Sequence, residues 1–304
     1  MGVTTLIAIA LALAAAVALG YGAMLQHSGV ADDHDDAKAF GLTAVFRLFR
    51  ERTWVLGTLV MGLGIACNVI ALAIAPVMVV QPIGAASLLV SVLLGVHYRG
   101  LRVGKRVGTS VIVCVAGVAV FVALSALTAR SEVQDGLRAN IVSWVGLGIS
   151  ALFLLTILVY RRPRQLVLVL GAGLQFGCVA TNVHLVAVQF LHGGFGAVSW
   201  LAVAALVTGS AVGSWFVQAA YAAGPPETVI AGLTVIDPIF AVILGAVVLG
   251  EASHAPWWLV VVMAVTGLVA CCAVVVLSRY HPDAIARERE RKMRRAEDSA
   301  AQHN

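Results

Sequence analysis

One acidic residue, Asp237, lies in the middle of a long apolar stretch of the sequence. It is the twelfth of the 24 residues in the segment 226–249, and Pro238 follows it directly. If this segment crosses a membrane, a charge at its centre costs roughly 2.5–3.5 kcal/mol on insertion scales, and the proline frees a backbone carbonyl one turn back. An acid beside such a break suits cation coordination or proton coupling. The alternative is a protonated Asp237 that only hydrogen-bonds between helices.

Polar side chains repeat at helical spacing in other apolar segments. Gln175, Asn182 and Gln189 are seven residues apart, which is close to two helical turns, so they share one face. Such groups either line a cavity or form interhelical hydrogen bonds, which average about 0.6 kcal/mol each. We predict that one central polar site contains the acid, several amides, a histidine and a serine: Asp237, Asn68, Gln81, Gln175, Asn182, His184, Ser214 and Gln218.

Two further acids lie at the ends of the segment that contains Asp237. Glu227 follows the pair Pro225-Pro226, and a carboxylate in the first turn of a helix suits the helix dipole, so we expect a cap there. Glu251 closes a Leu-Gly-Glu run, and we expect it to be an ordinary helix-end residue.

The motifs of common catalytic and nucleotide-binding sites are absent from the sequence. It contains no G-x-x-x-x-G-K-[ST] loop, no H-E-x-x-H and no G-x-S-x-G. We therefore expect no enzyme activity and no cofactor. An intramembrane enzyme would need paired catalytic groups, and His184 with Asp237 is the one candidate pair. The five cysteines lie within apolar segments and are expected to be reduced packing residues.

The composition indicates which elements must position these residues. Of 304 residues, 61% are apolar and 12% are Asp, Glu, Lys or Arg, about half the usual charged share of a soluble domain. This excludes a soluble globular protein, a disordered chain and a nucleic-acid-binding domain. A spanning helix needs about 20 apolar residues. We predict an all-α polytopic membrane protein with about nine transmembrane helices, at 3–25, 53–73, 76–97, 104–127, 139–160, 165–190, 197–222, 226–249 and 256–278.

The basic residues predict the orientation of these helices. With nine helices, 18 of the 20 Lys and Arg residues fall on one side, and only Arg130 and Arg138 fall on the other. Because basic loops stay in the cytoplasm, we expect the N-terminus outside and the C-terminus inside the cell. The expected location is the plasma membrane, with the lipid bilayer as a partner and no nucleic acid.

An internal repeat divides the predicted helices into two halves. The stretch 80–95 (VQPIGAASLLVSVLLG) matches 236–251 (IDPIFAVILGAVVLGE) at an offset of 156 residues. Helices 1–4 then correspond to helices 6–9, and the single connector helix makes the two halves cross in opposite directions. Inverted repeats place substrate sites near the midplane between the halves. The predicted units are a first repeat at 1–128 with an amphipathic cytoplasmic loop at 26–52, a connector at 129–164, a second repeat at 165–278 and a charged tail at 279–304.

Particular stretches of these helices carry a family resemblance. Residues 68–76 (NVIALAIAP) and 79–87 (VVQPIGAAS) resemble the NIPA-like magnesium transporters, a branch of the drug/metabolite transporter superfamily. In the second half, 237–241 (DPIFA) and 249–251 (LGE) resemble the broader EamA-like pattern. The resemblance implies inverted repeats and magnesium transport. One departure is that residues 62–67 contain no acid, where the family pattern usually has a glutamate before Asn68.

These observations predict a secondary transporter that moves a small polar solute by alternating access, with Asp237 as the coupling residue. The amides would bind polar groups of the substrate. A divalent cation such as magnesium, with Asp237 as its ligand, and a lipid-linked substrate are the alternatives for the cargo. A non-transporting membrane scaffold, which would use the basic tail to hold a partner, is the alternative of another class. A homodimer stays open.

Overall fold

The computed structural model describes residues 2–31, 51–84, 86–87, 89–90, 93–94, 105–129, 136–159, 163–224 and 226–279. Over these ranges the regular structure is entirely helical, which confirms the all-α prediction. A 3₁₀ turn, Phe195–Ala197, and a π turn, Leu244–Val248, accompany the helices. The helices are α1 (Val3–Ala31), α2 (Arg52–Ile74), α3 (Val77–Gly84), α4 (Lys105–Thr128), α5 (Gly136–Val159), α6 (Gln165–Gly193), α7 (Trp200–Ala223), α8 (Pro226–Ile243) and α9 (Trp257–Arg279).

Eight of these helices are long and apolar enough to cross a membrane. The ninth, α3, is described continuously for only eight residues, and further helical pieces lie at 86–87, 89–90 and 93–94. Each predicted helix therefore has a counterpart. Large apolar side chains such as Leu63 and Leu268 lie exposed on the outside of the bundle, as lipid-facing side chains do.

Local sequence explains where several helices begin and end. Pro76 and Pro256 directly precede α3 and α9, where a missing backbone N–H is harmless. The Ser199 hydroxyl accepts the N–H of Ala202 and so caps the start of α7. Gly194 ends α6 with a positive φ of 64°, a conformation that glycine adopts without a steric penalty. The predicted eighth helix, 226–249, is α-helical only to Ile243 and continues as the π turn.

Helix α6 is the centre of the bundle. Within its most apolar window 56% of residues are buried, whereas the other seven candidate spans reach 22–28%. Its neighbours are α2, α3, α5, α7 and α8. Because small residues on α6 let other helices approach closely, its glycines decide how near α8 can come. A Cβ on Gly177 would lie 3.0 Å from both the Asp237 carbonyl oxygen and the Ala241 nitrogen.

The first two helices of each predicted half pack against each other, α1 on α2 and α6 on α7, and α4 packs on α9. Equivalent pairing of this kind is what an internal repeat would produce. The repeat itself and the domain boundaries stay predictions. Most of the amphipathic loop, at 32–50, and the tail beyond Arg279 lie outside the described residues.

Candidate functional site

The amide stripe of α6 faces the predicted connector helix, α5. The Ser143 hydroxyl donates to Asn182 Oδ1 at 2.8 Å, and Asn182 Nδ2 donates to the Cys178 carbonyl at 2.8 Å. Gln175 Nε2 donates to the Gly146 carbonyl at 3.3 Å. Gln175 and Asn182 are completely buried. The bonds of Ser143 and Gly146 join α5 to α6, and interhelical bonding is the second of the two roles that the sequence left open for such groups.

Other predicted site residues lie apart from this stripe. Gln189 accepts the Ser199 N–H at 2.8 Å and so ties the end of α6 to the start of α7. Ser214 and Gln218 lie on the exposed face of α7, because the opposite face, with Gly209 and Gly213, is the one that packs on α6. The structure therefore does not bring these two polar residues together with the buried amides.

Asn68 and Gln81 are half-buried, in α2 and α3 respectively. Neither shares a hydrogen bond with the α6 stripe among the bonds of the described residues.

Asp237 lies at the middle of α8, where the helix passes over the glycines of α6. Its side chain is half-buried as a whole, but Oδ1 is buried and has no hydrogen-bond partner within the described part of the chain. It is also the single acidic residue inside the eight candidate spans. A buried carboxylate oxygen without a partner is costly unless a proton or a cation satisfies it.

Glu251 is a second buried acid, and the sequence did not identify it as a site residue. Its side chain is completely buried, and its carboxylate accepts two backbone N–H bonds at the start of α3, from Val77 at 2.8 Å and from Met78 at 2.9 Å. We call this arrangement the Glu251 cap. The first N–H groups of a helix have no partner inside the helix and carry the positive end of its dipole, so they suit a carboxylate.

The turn that presents Glu251 is built by the Leu-Gly-Glu run. Gly250 adopts a positive φ of 75°, and the Glu251 N–H returns to the Gly245 carbonyl at 3.0 Å, as in a glycine-ended helix. Gly245 leaves room for the acid, since a Cβ there would lie 2.7 Å from Glu251 Oε2. Arg138 Nη1 donates to the Leu249 carbonyl at 3.5 Å and holds the turn against α5.

His184 of α6 faces the Glu251 cap. Its Nδ1 contacts the carbonyl oxygen of Leu72, near the end of α2, and its Nε2 lies 3.9 Å from Glu251 Oε1. Nε2 has no hydrogen-bond partner among the described residues, and the ring is almost completely buried. His184 is thus the one predicted site residue that the structure places beside a carboxylate.

Burial raises the pKa of the Glu251 carboxyl from 4.5 to about 7, while the N–H bonds from Met78 and Val77 lower it. Glu251 lies in the turn between two spans, Thr228–Val248 and Trp257–Val276. The raised pKa favours the protonated carboxyl below about pH 7.

An apolar cavity of about 420 Å³ lies between α3, α4, α8 and α9. Met78, Phe121, Pro238 and Met263 are among its lining residues. Its wall is almost wholly apolar, so it offers few partners to a polar solute. Two residues that line the cavity are next to the acids. The Met78 N–H donates to the Glu251 carboxylate, and Pro238 follows Asp237 in the chain.

No group of three or more His, Cys, Asp or Glu residues that could hold a metal ion occurs among the described residues. Mg²⁺ does not require such a group, because it usually keeps several waters and binds through one or two carboxylates. All five cysteines are free thiols.

One signal in the sequence could have pointed to Glu251. A glycine directly before an acid at a helix end indicates a positive φ, which turns the following residue back toward the bundle. Nothing in the sequence indicates that the donors to Glu251 are the N–H groups at the start of α3, which lie 173–174 residues earlier in the chain.

Comparison with known proteins connects the chain to one family. The family model described as magnesium transporter NIPA matches residues 3–171, more than half of the chain. The chain is also 24% identical over 279 residues to an uncharacterized protein of Corynebacterium glutamicum, in an alignment that covers 91% of this chain and 96% of that protein. No solved structure matches the chain significantly.

Proposed function

Because the chain belongs to the magnesium transporter NIPA family, a family of multi-pass membrane transporters, we propose that it carries Mg²⁺ across the membrane with Asp237 as the ligand of the cation. The observation that carries this proposal is the buried Oδ1 of Asp237, which has no partner in the described chain. A cation that keeps part of its water shell would satisfy this oxygen without a cluster of protein ligands.

The position of Asp237 supports alternating access as the mechanism. Its backbone lies against Gly173 and Gly177 of α6, and Pro238 weakens the helix at the same level. A helix weakened near the midplane can present an acid first to one side and then to the other. The rocking elements would be the two predicted halves, at 1–128 and 165–278.

The test is Mg²⁺ flux into proteoliposomes that contain a magnesium-sensitive dye. We expect flux in the wild type, little flux in Asp237→Asn, which cannot carry the charge, and partial flux in Asp237→Glu. Thr156→Ala is the matched control, because the Thr156 hydroxyl bonds to the Leu152 carbonyl of its own helix and faces outward.

Folding of each variant is checked by gel filtration and circular dichroism. Full Mg²⁺ flux in a folded Asp237→Asn protein would show that the carboxylate is not the ligand. No flux in the folded wild type would remove Mg²⁺ as the substrate.

The apolar cavity favours a second candidate substrate, a lipid. A hydrocarbon chain suits a wall with almost no polar atoms, and the cavity adjoins Pro238. Val242→Phe would place a ring in this cavity. If a lipid is carried, the transfer of a fluorescent phospholipid between leaflets should fall in Val242→Phe, and it should be unaffected by Asp237→Asn. Equal transfer in protein-free vesicles would remove this candidate.

Transport of a polar organic solute stays a prediction. The amide groups of Gln175 and Asn182 already donate to helix carbonyls, and Ser214 and Gln218 face outward.

A further inference from the structure

The Glu251 cap and His184 connect parts of the chain that belong to different predicted halves. Glu251 and His184 lie in the second half, at 165–278, whereas Leu72, Val77 and Met78 lie in the first. Within the described part of the chain, the hydrogen-bond partners of the two side chains are backbone atoms of the first half. The cluster is therefore a polar contact between the halves, and it is enclosed on all sides, since both side chains are at most 1% exposed.

The hydrogen-bond chemistry of this cluster requires a proton between its two titratable groups. The Leu72 carbonyl can only accept, so Nδ1 of His184 must donate to it. In a neutral ring, Nε2 then carries a lone pair and not a proton. That lone pair faces Glu251 Oε1 at 3.9 Å, so two acceptors confront each other in a buried space.

A single proton resolves this conflict. On the carboxyl, it faces the lone pair of Nε2, and on the ring it forms an imidazolium beside a carboxylate. The carboxylate keeps its two N–H bonds from α3 in the second state. Without the proton, a bare carboxylate and a bare nitrogen are left together, which is unfavourable in a buried site.

We propose that His184 and Glu251 together form a site for one exchangeable proton, and that binding and release of this proton change the strength of the contact between the two halves. Release removes the attraction between His184 of α6 and the turn after α8. The carboxylate that is left keeps its two N–H bonds from α3, and it accepts them more strongly than a neutral carboxyl does. Proton binding itself is independent of the proposed function. Only its effect on flux rests on Mg²⁺ transport.

The charged and titratable groups around the site are few within the described residues. Arg138 of α5 holds the turn through the Leu249 carbonyl, and His254 lies in the same turn and contacts Ser253. Asp237 lies on α8, fourteen residues before Glu251. The sequence of α3, 77–84, and the nearby end of α2 contain no acid or base. The proton is therefore assigned to the pair.

The direct test is the infrared difference spectrum of the full-length protein in lipid vesicles between about pH 6 and about pH 8, where an unperturbed histidine also titrates. We expect a titrating carboxyl band that is lost in Glu251→Gln. In His184→Gln the midpoint of this band should fall by about one pH unit or more, because the proton loses its second acceptor. Glu251→Asp serves if Glu251→Gln does not fold, and the band should then move in frequency.

Asp237→Asn is the control for the assignment, because it removes the other buried acid and should leave the Glu251 band in place. An identical midpoint in the wild type and His184→Gln would overturn the sharing of the proton. The absence of any titrating band from Glu251 and His184 would overturn the site itself.

The second readout is the pH profile of Mg²⁺ flux. The wild-type profile should change across the midpoint of the infrared band, and the profile of Glu251→Gln should be flat. A wild-type flux that does not depend on pH would overturn the link between the proton and the halves. A wild type that binds the proton and carries no Mg²⁺ would instead contradict the proposed function alone.

Discussion

At the scale of single residues, glycines determine where the buried acids can sit. Gly250 supplies the positive φ that turns the chain, and Gly245 leaves the space that the Glu251 carboxylate occupies. The carboxylate cannot easily move away from an added methyl group, since two backbone N–H bonds hold it. The strength of the Glu251 cap therefore depends on Gly245, which has no side chain and leaves space for the carboxylate.

Gly245→Ala should lower the stability of the protein. The new Cβ would lie 2.7 Å from Glu251 Oε2, so the acid must leave at least one N–H of α3. An overpacked position of this kind typically costs about 1–3 kcal/mol. Thermal unfolding in detergent measures the change. Gly148→Ala on α5 is the control, because nothing lies within 4 Å of its added Cβ, and its melting temperature should equal or exceed that of the wild type.

The raised pKa of Glu251 predicts how stability depends on pH. The folded protein holds the proton up to about pH 7, whereas the unfolded chain releases it near 4.5. Unfolding between pH 4.5 and about pH 7 releases this proton. The stabilisation that the bound proton gives the folded protein is therefore complete below pH 4.5 and is lost as the pH rises through about 7. The melting temperature should therefore fall over this window in the wild type and fall less in Glu251→Gln. Parallel curves for the two proteins would contradict this.

Sequence alone predicted part of the site at this scale. The cost of a mid-helix acid identified Asp237, and the seven-residue spacing identified the buried amides Gln175 and Asn182. It could not decide whether those amides line a cavity, because that depends on which helix packs on them. Glu251 was expected to be an ordinary helix-end residue, since its partner lies 173–174 residues away in the chain.

At the scale of elements, the close approach of α8 to α6 positions Asp237. Gly173 and Gly177 form the surface on which α8 lies, because their four-residue spacing places them on one face of α6. The nine helices followed from composition, length and proline positions. The π turn after Ile243 did not, because a one-residue change in helical register leaves no compositional mark.

Gly173→Ala should move α8 away from α6 and impair both stability and transport. The added Cβ would lie 2.6 Å from Ile236 Cβ, beside Asp237, and a β-branched side chain cannot yield easily at that point. We expect a loss of about 1–3 kcal/mol and reduced Mg²⁺ flux. Gly62→Ala on α2 is the control, since its added Cβ has open space around it. Unchanged flux in Gly173→Ala would separate this contact from the transport site.

At the scale of the whole molecule, the charged tail offers a way to distinguish the transporter hypothesis from the scaffold hypothesis. Seven of the 20 basic residues lie from Arg279 onward, in a tail that the distribution of Lys and Arg places on the predicted cytoplasmic side. The contacts that carry both proposals lie between residues 72 and 251, outside the tail. The tail should therefore be dispensable for transport.

Deletion of residues 283–304 should leave Mg²⁺ flux within about twofold of the wild type, a change equivalent to less than about 0.5 kcal/mol. Flux in proteoliposomes measures this, with Asp237→Asn in the full-length chain as the inactive reference. A deletion variant that inserts and folds normally but loses activity would support the scaffold. Antibody access to tags at the two ends of the chain in intact cells would test the predicted orientation.

The length of chain between α3 and Glu251 has a consequence for biosynthesis. Val77 and Met78 leave the ribosome 173–174 residues before the acid that accepts their N–H groups. At bacterial and eukaryotic synthesis rates this delay is roughly 10–35 s. The start of α3 must spend that time beside the insertion machinery without its final acceptor. A nascent chain arrested before residue 251 should therefore be more open to proteases than one released after it, although most of its helices are already inserted.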